Sequence, residues 1–185
     1  MFTNKFISRI ELPLHKKSVE SVIEKLSHLP QRARDAKKST KKYFAKLARR
    51  PPKQLDTTMQ ELHDEVFEEI DCLACANCCK TTSPIFRTRD VERIAAHLKM
   101  KVGDFVTEYL KVDEDEDYVL QQSPCPFLGI DNYCSIYEAR PKACREYPHT
   151  NRKNFHQILP LTLKNTAICP ATFEIVKRLK EVIVI

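Results

Sequence analysis

Glycine is almost absent from this sequence. The 185-residue chain contains two glycines, Gly103 and Gly129, which lie far apart, although prolines number eleven. The dinucleotide-binding fingerprint and the phosphate-binding P-loop both need several glycines close together. The sequence therefore excludes the common glycine-rich nucleotide loops.

Long apolar segments are also missing. No run approaches the roughly 18 apolar residues of a membrane-spanning helix, and the first 17 residues have no apolar signal core. We therefore expect no membrane span, no secretory signal and a cytoplasmic location, where thiols stay reduced. The composition, 42% hydrophobic and 30% charged, favours a globular fold.

Charge divides the chain into two regions. Residues 1–55 carry fifteen Lys/Arg and four Asp/Glu, whereas residues 56–185 have a net charge of −5 and hold all eight cysteines. This predicts a basic helical N-terminal extension at 1–55 and a cysteine-bearing domain at 56–185. Nucleic acid is a candidate partner of the basic region, but an ordinary solvated helix face explains the same charge pattern.

Apolar spacing predicts a mainly α fold with a few short strands. In the basic region it indicates a helix ended by Pro30 and a second helix over residues 31–50. A further helix is predicted over Leu55–Ile70, with apolar residues three or four apart on one face. Shorter helices are expected near Thr88 and Phe105. The pattern also predicts a short strand over 118–121 and a last helix beginning at 170, where a proline fits the first helical position.

Cysteines carry the clearest chemical signal. The first four follow the spacing C-x2-C-x2-C-C at Cys72, Cys75, Cys78 and Cys79, and the other four are Cys125, Cys134, Cys144 and Cys169. Two residues between cysteines let a loop direct both sulfurs at one point, as in zinc and iron–sulfur sites. In a reducing compartment, clustered thiols favour metal over disulfides, which remain the alternative.

The order of these motifs resembles the YkgJ-type cysteine-cluster family, a domain described as chelating zinc or iron. The resemblance rests on C-x2-C-x2-C-C, then C-P-F-L, C-x-I-Y-E-x-R-P-x-x-C-R-x-Y-P and a late C-P, from about residue 71 to 172. Relatives commonly have glycine at the position of Ala76, so an alanine there is strained if the turn needs a positive φ. One branch resembles flagellin lysine methylases, so the resemblance leaves catalysis open.

We predict that Cys72, Cys75 and Cys78 share one centre with a later cysteine. Cys79 and the remaining later cysteines would complete a second centre or protect the first. Because thiolates bound to a metal leave net negative charge, Arg140 and Arg145 are expected to point toward the sulfurs or the carbonyls of the ligand loops. We interpret Tyr137 and Tyr147 as packing residues.

Three functions are compatible with these features. The first is a metal-binding protein in which small helices support cysteine-rich loops around zinc or iron, with an iron–sulfur cluster as one form. The second is a metal-dependent group-transfer enzyme like the methylase branch, for which the glycine-poor sequence offers no nucleotide loop. The third is an interaction module whose basic N-terminal arm binds a partner.

Overall fold

The computed structural model describes the backbone of residues 13–185 and, within the first helix, side chains from residue 22 onward. The protein is mainly α, as predicted. The longer helices are α1 (Pro13–Arg49), α2 (Leu55–Glu69), α5 (Thr88–His97), α6 (Val102–Tyr109), α8 (Leu159–Asn165) and α9 (Pro170–Val182). The shorter helices are α3 (Cys72–Cys75), α4 (Asn77–Thr81) and α7 (Lys142–Glu146), and 3-10 turns cover Tyr137–Ala139 and Phe155–Ile158.

One hydrophobic core joins α1, α2 and α9. The predicted apolar face of α2 is buried, and its five residues are Leu55, Met59, Leu62, Val66 and Ile70. They pack with Phe44 and Leu47 of α1 and with Ile175 and Leu179 of α9. Cys75 and Cys169 border the same cluster. This core therefore supports one side of the cysteine region.

A second core lies beyond the first cysteine run. It gathers the inner faces of α5 and α6, a two-stranded antiparallel sheet and the loop after it. The sheet pairs β1 (Leu110–Val112) with β2 (Tyr118–Leu120). Cys125 and Cys134 pack against this second cluster. Four of the cysteines are thus divided between two separate hydrophobic clusters.

The basic region contains one continuous helix over residues 13–49, and the prediction that Pro30 ends a helix was wrong. Leu29 and Ala33 are buried on either side of Pro30, whose ring is exposed. Packing on both sides of the proline holds the helical path, although proline removes one backbone hydrogen bond. Among residues 13–185, no helix combines the length and apolar character that crossing a membrane requires.

Side chains of α1 belong to the first core, since Val22, Phe44 and Leu47 are almost fully buried there. The Tyr43 hydroxyl also donates hydrogen bonds to the carbonyls of Leu179 and Ile183 at 3.3 and 2.9 Å. The described part of the extension is therefore packed on the helices beside the cysteines. The division of the chain at residue 55 stays a prediction.

Candidate metal centre

The first four cysteines lie on two short helices joined by a tight reversal. The carboxylate of Asp71 caps α3 by accepting a hydrogen bond from the Leu73 backbone N–H at 2.8 Å. Ala76 then takes the left-handed conformation, with φ 46° and ψ 16°, and α4 begins at once. This is the positive φ at which we expected an alanine to be strained. The reversal keeps the thiols before and after Ala76 on neighbouring turns.

The last cysteine in the chain is brought to this turn by α4 and α9. The Asn77 side-chain amide donates to the Ile168 carbonyl at 2.6 Å, immediately before Cys169. Cys169 occupies the N-cap position of α9, where its sulfur accepts a hydrogen bond from the Thr172 N–H at 3.5 Å. A residue about ninety positions away along the chain therefore lies beside the first cysteine run.

Four thiols form a first electrostatic group, which comprises Cys72, Cys75, Cys78 and Cys169. Burial, followed by the charges of the neighbouring Cys169 and Cys75 thiols, raises the pKa of Cys72 to about 12. Cys72 is exposed by surface area, but protein surrounds its sulfur closely enough for this effect. Cys169 also raises the pKa of Cys75 and of Cys78. Charge on any one of these sulfurs therefore opposes charge on the others.

A second group lies on the side of the other core and comprises Cys125, Cys134 and Cys144. Burial, followed by the charges of the Cys79, Cys125 and Cys134 thiols, raises the pKa of Cys144 to about 12. The Cys125 backbone N–H donates to the Cys79 carbonyl at 2.8 Å. Cys134 is held nearby through a β-bridge to Leu128. The hydrogen bond between Cys125 and Cys79 therefore holds Cys79 next to the later cysteines.

Cys78 and Cys79 stand where the two groups meet. Their sulfur atoms are 4.0 Å apart. Hydrogen bonding to Cys78, together with the charge of Lys80, outweighs the effect of burial and lowers the pKa of Cys79 to about 7. Hydrogen bonding to Cys79 and burial raise the pKa of Cys78. Within this pair, negative charge is therefore favoured on Cys79.

Backbone amides repeatedly face sulfur at these cysteines. Burial raises the pKa of Cys75, Cys125, Cys134 and Cys169, and a hydrogen bond from the amide two residues later lowers it in each case. The donors are Asn77, Phe127, Ile136 and Ala171. Hydrogen bonds to the charged form stabilise a thiolate. Both groups thus contain donors of the kind that metal-bound sulfur accepts.

Two buried hydroxyls beside the first group lack partners. Among buried side-chain nitrogen and oxygen atoms of the described residues, only those of Tyr147 and Thr172 have no hydrogen bond of ordinary length. Burial raises the pKa of Tyr147, and the thiols of the first group raise it further. The Thr172 hydroxyl lies close enough to the large sulfur of Cys169 to lower its pKa, despite having no regular bond.

The Tyr147 ring packs against the first core, in agreement with its interpretation as a packing residue. Sequence reasoning missed the hydroxyl, because the motif around Tyr147 gives no sign that the ring lies beside a cysteine from the far end of the chain. Thr172 was missed for the same reason, although its place three residues after Cys169 is that of an N-cap partner.

The two predicted arginines differ in their surroundings. Arg140 stacks on the Tyr137 ring at 3.6 Å and donates to the Tyr137 carbonyl at 2.7 Å. Burial raises the pKa of Cys134 and Cys144, and the charge of Arg140 lowers it in both. Arg145 is exposed on α7, and none of the described hydrogen bonds or ion pairs involves its side chain. A role for either arginine in cofactor binding stays a prediction.

The thiols of each group lie near one another, but their sulfurs do not converge on a single metal position. In residues 13–185, no group of three or more Cys, His, Asp or Glu side chains stands ready to hold a metal ion. All eight cysteines are free thiols. The donor chemistry nevertheless fits a soft cation, because eight sulfurs divide between two locations and backbone amides face four of them.

Comparison with known proteins identifies the cysteine region. Residues 71–162 match the family model CxxCxxCC, described as a "putative zinc- or iron-chelating domain". The match contains seven of the eight cysteines, and Cys169 follows it. No solved structure matches the chain. Through residues 71–162 this chain belongs to the CxxCxxCC family, the family that its cysteine pattern resembles.

Proposed function

We propose that the protein binds zinc or iron, the latter as single ions or as an iron–sulfur cluster, through two adjacent sets of four cysteines. The first set is Cys72, Cys75, Cys78 and Cys169, and the second is Cys79, Cys125, Cys134 and Cys144. The observation that carries the proposal is the separation of thiols between two hydrophobic cores, with Cys75 and Cys169 in the first and Cys125 and Cys134 packed against the second. Four thiolates are a complete ligand set for tetrahedral zinc and for common iron–sulfur clusters.

The mutual effect of the thiols supports the proposal. In the first group Cys169 raises the pKa of the other three thiols, and in the second Cys125 and Cys134 raise that of Cys144, because two thiolates repel. A bound cation removes that repulsion and releases the thiol protons. Closing either set requires rotation of cysteine side chains about their χ1 torsions, which have well-separated staggered positions.

The assignment of Cys79 to the second set follows from backbone geometry. Its carbonyl accepts the Cys125 N–H, and its thiol raises the pKa of all three thiols of the second group, as well as that of Cys72 and Cys75. Neighbouring side chains on one chain tend to diverge, so two adjacent cysteines serve two centres more easily than one. The thiolate ligands require a reducing compartment, and we therefore propose a cytoplasmic location.

We further infer that the metal has a structural role. Closed four-thiolate sites leave no coordination position for a substrate. Two surface hollows, of about 450 and 230 Å³, are lined respectively by α1 residues and by residues around α6 and the loop after β2, with no cysteine in either lining. These hollows therefore offer no substrate site next to the thiols.

Anaerobic purification followed by metal quantification and optical spectra tests the proposal. We expect about two zinc ions per chain, one for each set of four thiols, or iron with inorganic sulfide and the visible absorption of a cluster. A protein that contains neither zinc nor iron at a near-stoichiometric amount would contradict the proposal.

Single substitutions test the partition. Cys75→Ser should remove metal from the first set and Cys144→Ser from the second, each leaving the other set loaded. Ser39→Ala, an exposed change on α1, serves as the control with unchanged metal content. Unchanged metal in Cys75→Ser would contradict its role, and complete loss in either cysteine variant would indicate a single shared centre.

A further inference from the structure

We propose that the Tyr147 hydroxyl donates a hydrogen bond to thiolate sulfur in the first set, with the Thr172 hydroxyl as a second donor. This inference rests on the proposed function. It concerns positioning residues, which would make the first set chemically different from the second.

The location of the unpartnered hydroxyls carries the argument. In the part of the chain that the structure describes, these are the two buried side-chain polar atoms without a partner. Both residues lie beside Cys169: the Tyr147 ring packs against the hydrophobic cluster that contains Cys75 and Cys169, and the Thr172 N–H contacts the Cys169 sulfur at 3.5 Å. Buried hydroxyls nearly always have partners, since leaving one without a partner is costly. Their coincidence at one cysteine therefore points to an acceptor there.

Thiolate sulfur supplies the acceptor that these hydroxyls need. A protonated thiol is a weak acceptor, whereas a metal-bound thiolate is charged and accepts several hydrogen bonds. The first set offers such sulfurs next to Tyr147, whose ring packs on the cluster that contains Cys75 and Cys169, and the charges of all four sulfurs raise the pKa of its hydroxyl. The Tyr147 hydroxyl has no acceptor at hydrogen-bond distance in the structure, sulfur included, so it is free to donate once a cysteine side chain rotates toward a bound metal.

The second set has a different environment. Its counter-charge comes from Arg140, which acts on Cys134 and Cys144. The first set has neutral hydroxyl donors next to Cys169, together with the charge of Lys80 acting on Cys75. Removal of the hydroxyls should therefore affect metal in the first set and leave the second set unchanged.

Tyr147→Phe tests the inference, because it keeps the ring and removes the donor. The full-length protein is loaded with Co²⁺ as the probe, and metal transfer to a chelator is followed by the sulfur-to-cobalt charge-transfer absorption. We expect unchanged stoichiometry, a loss of affinity of about 10-fold to 100-fold for one of the sites, and a shift of part of the absorption to lower energy. An affinity and spectrum identical to those of the wild type would overturn the inference.

Tyr43→Phe is the matched control. It removes a hydroxyl that donates to the carbonyls of Leu179 and Ile183. We expect this variant to lower stability without changing cobalt affinity or absorption, which separates a general packing effect from an effect on sulfur. Should Tyr147→Phe fail to fold, Thr172→Val and Thr172→Ser decide: the valine variant must weaken one site and the serine variant must restore it. Absence of cobalt binding by the wild type would instead contradict the proposed function.

Discussion

At the scale of single residues, Ala76 occupies a left-handed turn that the first cysteine run needs but that alanine adopts only with strain. The left-handed conformation between α3 and α4 brings Cys75 and Cys78 to adjacent turns. A Cβ atom in that conformation costs about 1–2 kcal/mol, a cost that glycine avoids. The backbone is therefore strained at Ala76, the residue whose conformation sets the path of the first cysteine run.

Ala76→Gly should stabilise the protein by up to about 1 kcal/mol, since part of the relief is offset by the greater freedom of glycine in the unfolded chain. Thermal or urea unfolding of the metal-loaded protein measures the change. Ala74→Gly is the control, because Ala74 has a helical conformation in α3, and it should cost about 0.5–1 kcal/mol. Equal destabilisation by both substitutions would contradict a strained turn.

A second residue-scale feature is the buried carboxylate of Asp90, which has 3% of its surface exposed. It accepts hydrogen bonds from Arg93 at 2.6 Å, from the Lys142 N–H at 3.1 Å and from the Arg87 N–H at 3.2 Å. Burial alone would raise the pKa of Asp90, but these donors outweigh it and the pKa is lowered. Asp90 thereby fixes the start of α5 to the segment that leads to Cys144.

The lowered pKa of Asp90 predicts acid sensitivity. Its contribution to stability is complete above the unfolded pKa, about 4, and is lost as the pH falls through the lower folded value. Asp90→Asn should reduce the free energy of unfolding at pH 7 by about 2 kcal/mol. It should also flatten the decline below pH 4, measured by unfolding in urea at several pH values. A decline as steep as that of the wild type would show that other groups cause it.

At the scale of elements, α1 contributes directly to the core beside the cysteines. Leu47→Ala should destabilise the protein by about 2–5 kcal/mol, because Leu47 is fully buried against α2 and α9. Lys42→Ala on the exposed face is the control and should change stability by less than about 0.5 kcal/mol. A similarly small effect of Leu47→Ala would indicate an extension that is independent of the rest of the domain.

Periodicity predicted some elements well and failed at others for physical reasons. The face of α2 and the start of α9 at Pro170 were predicted correctly, because apolar spacing and proline position act locally. The prediction that a helix ends at Pro30 failed because tertiary packing overrides the local effect of a helix-breaking residue. β1 was missed because Leu110 follows a helix and its pairing with Leu120 depends on a separate strand.

At the scale of the whole molecule, the cysteines lie between two hydrophobic cores. The number and type of candidate ligands could be read from the sequence, and so could the expectation of two centres. The later cysteine that lies beside the first three could not be read from it, because the position of Cys169 depends on how α9 packs and on the contact of Asn77 with Ile168. The two buried hydroxyls required the same long-range information.

Removal of metal with a chelator should weaken the attachment of one core to the other. We expect a lower Tm and broader thermal unfolding, since metal in the second set would join Cys79 of the first cysteine run to Cys125 and Cys134 beside the second core. Calorimetry with and without chelator measures this, and restored metal should restore the transition. An identical transition in the metal-free protein would contradict a structural role.

The adjacency of Cys78 and Cys79 has a consequence for how the two proposed centres fill. One peptide bond joins a ligand of each set, so fixing the torsions of Cys78 around the first ion also restricts Cys79. Ordering that dipeptide then lowers the conformational entropy only once, although two ions bind. Metal uptake should therefore be cooperative, with half-loaded chains scarce at intermediate metal concentrations.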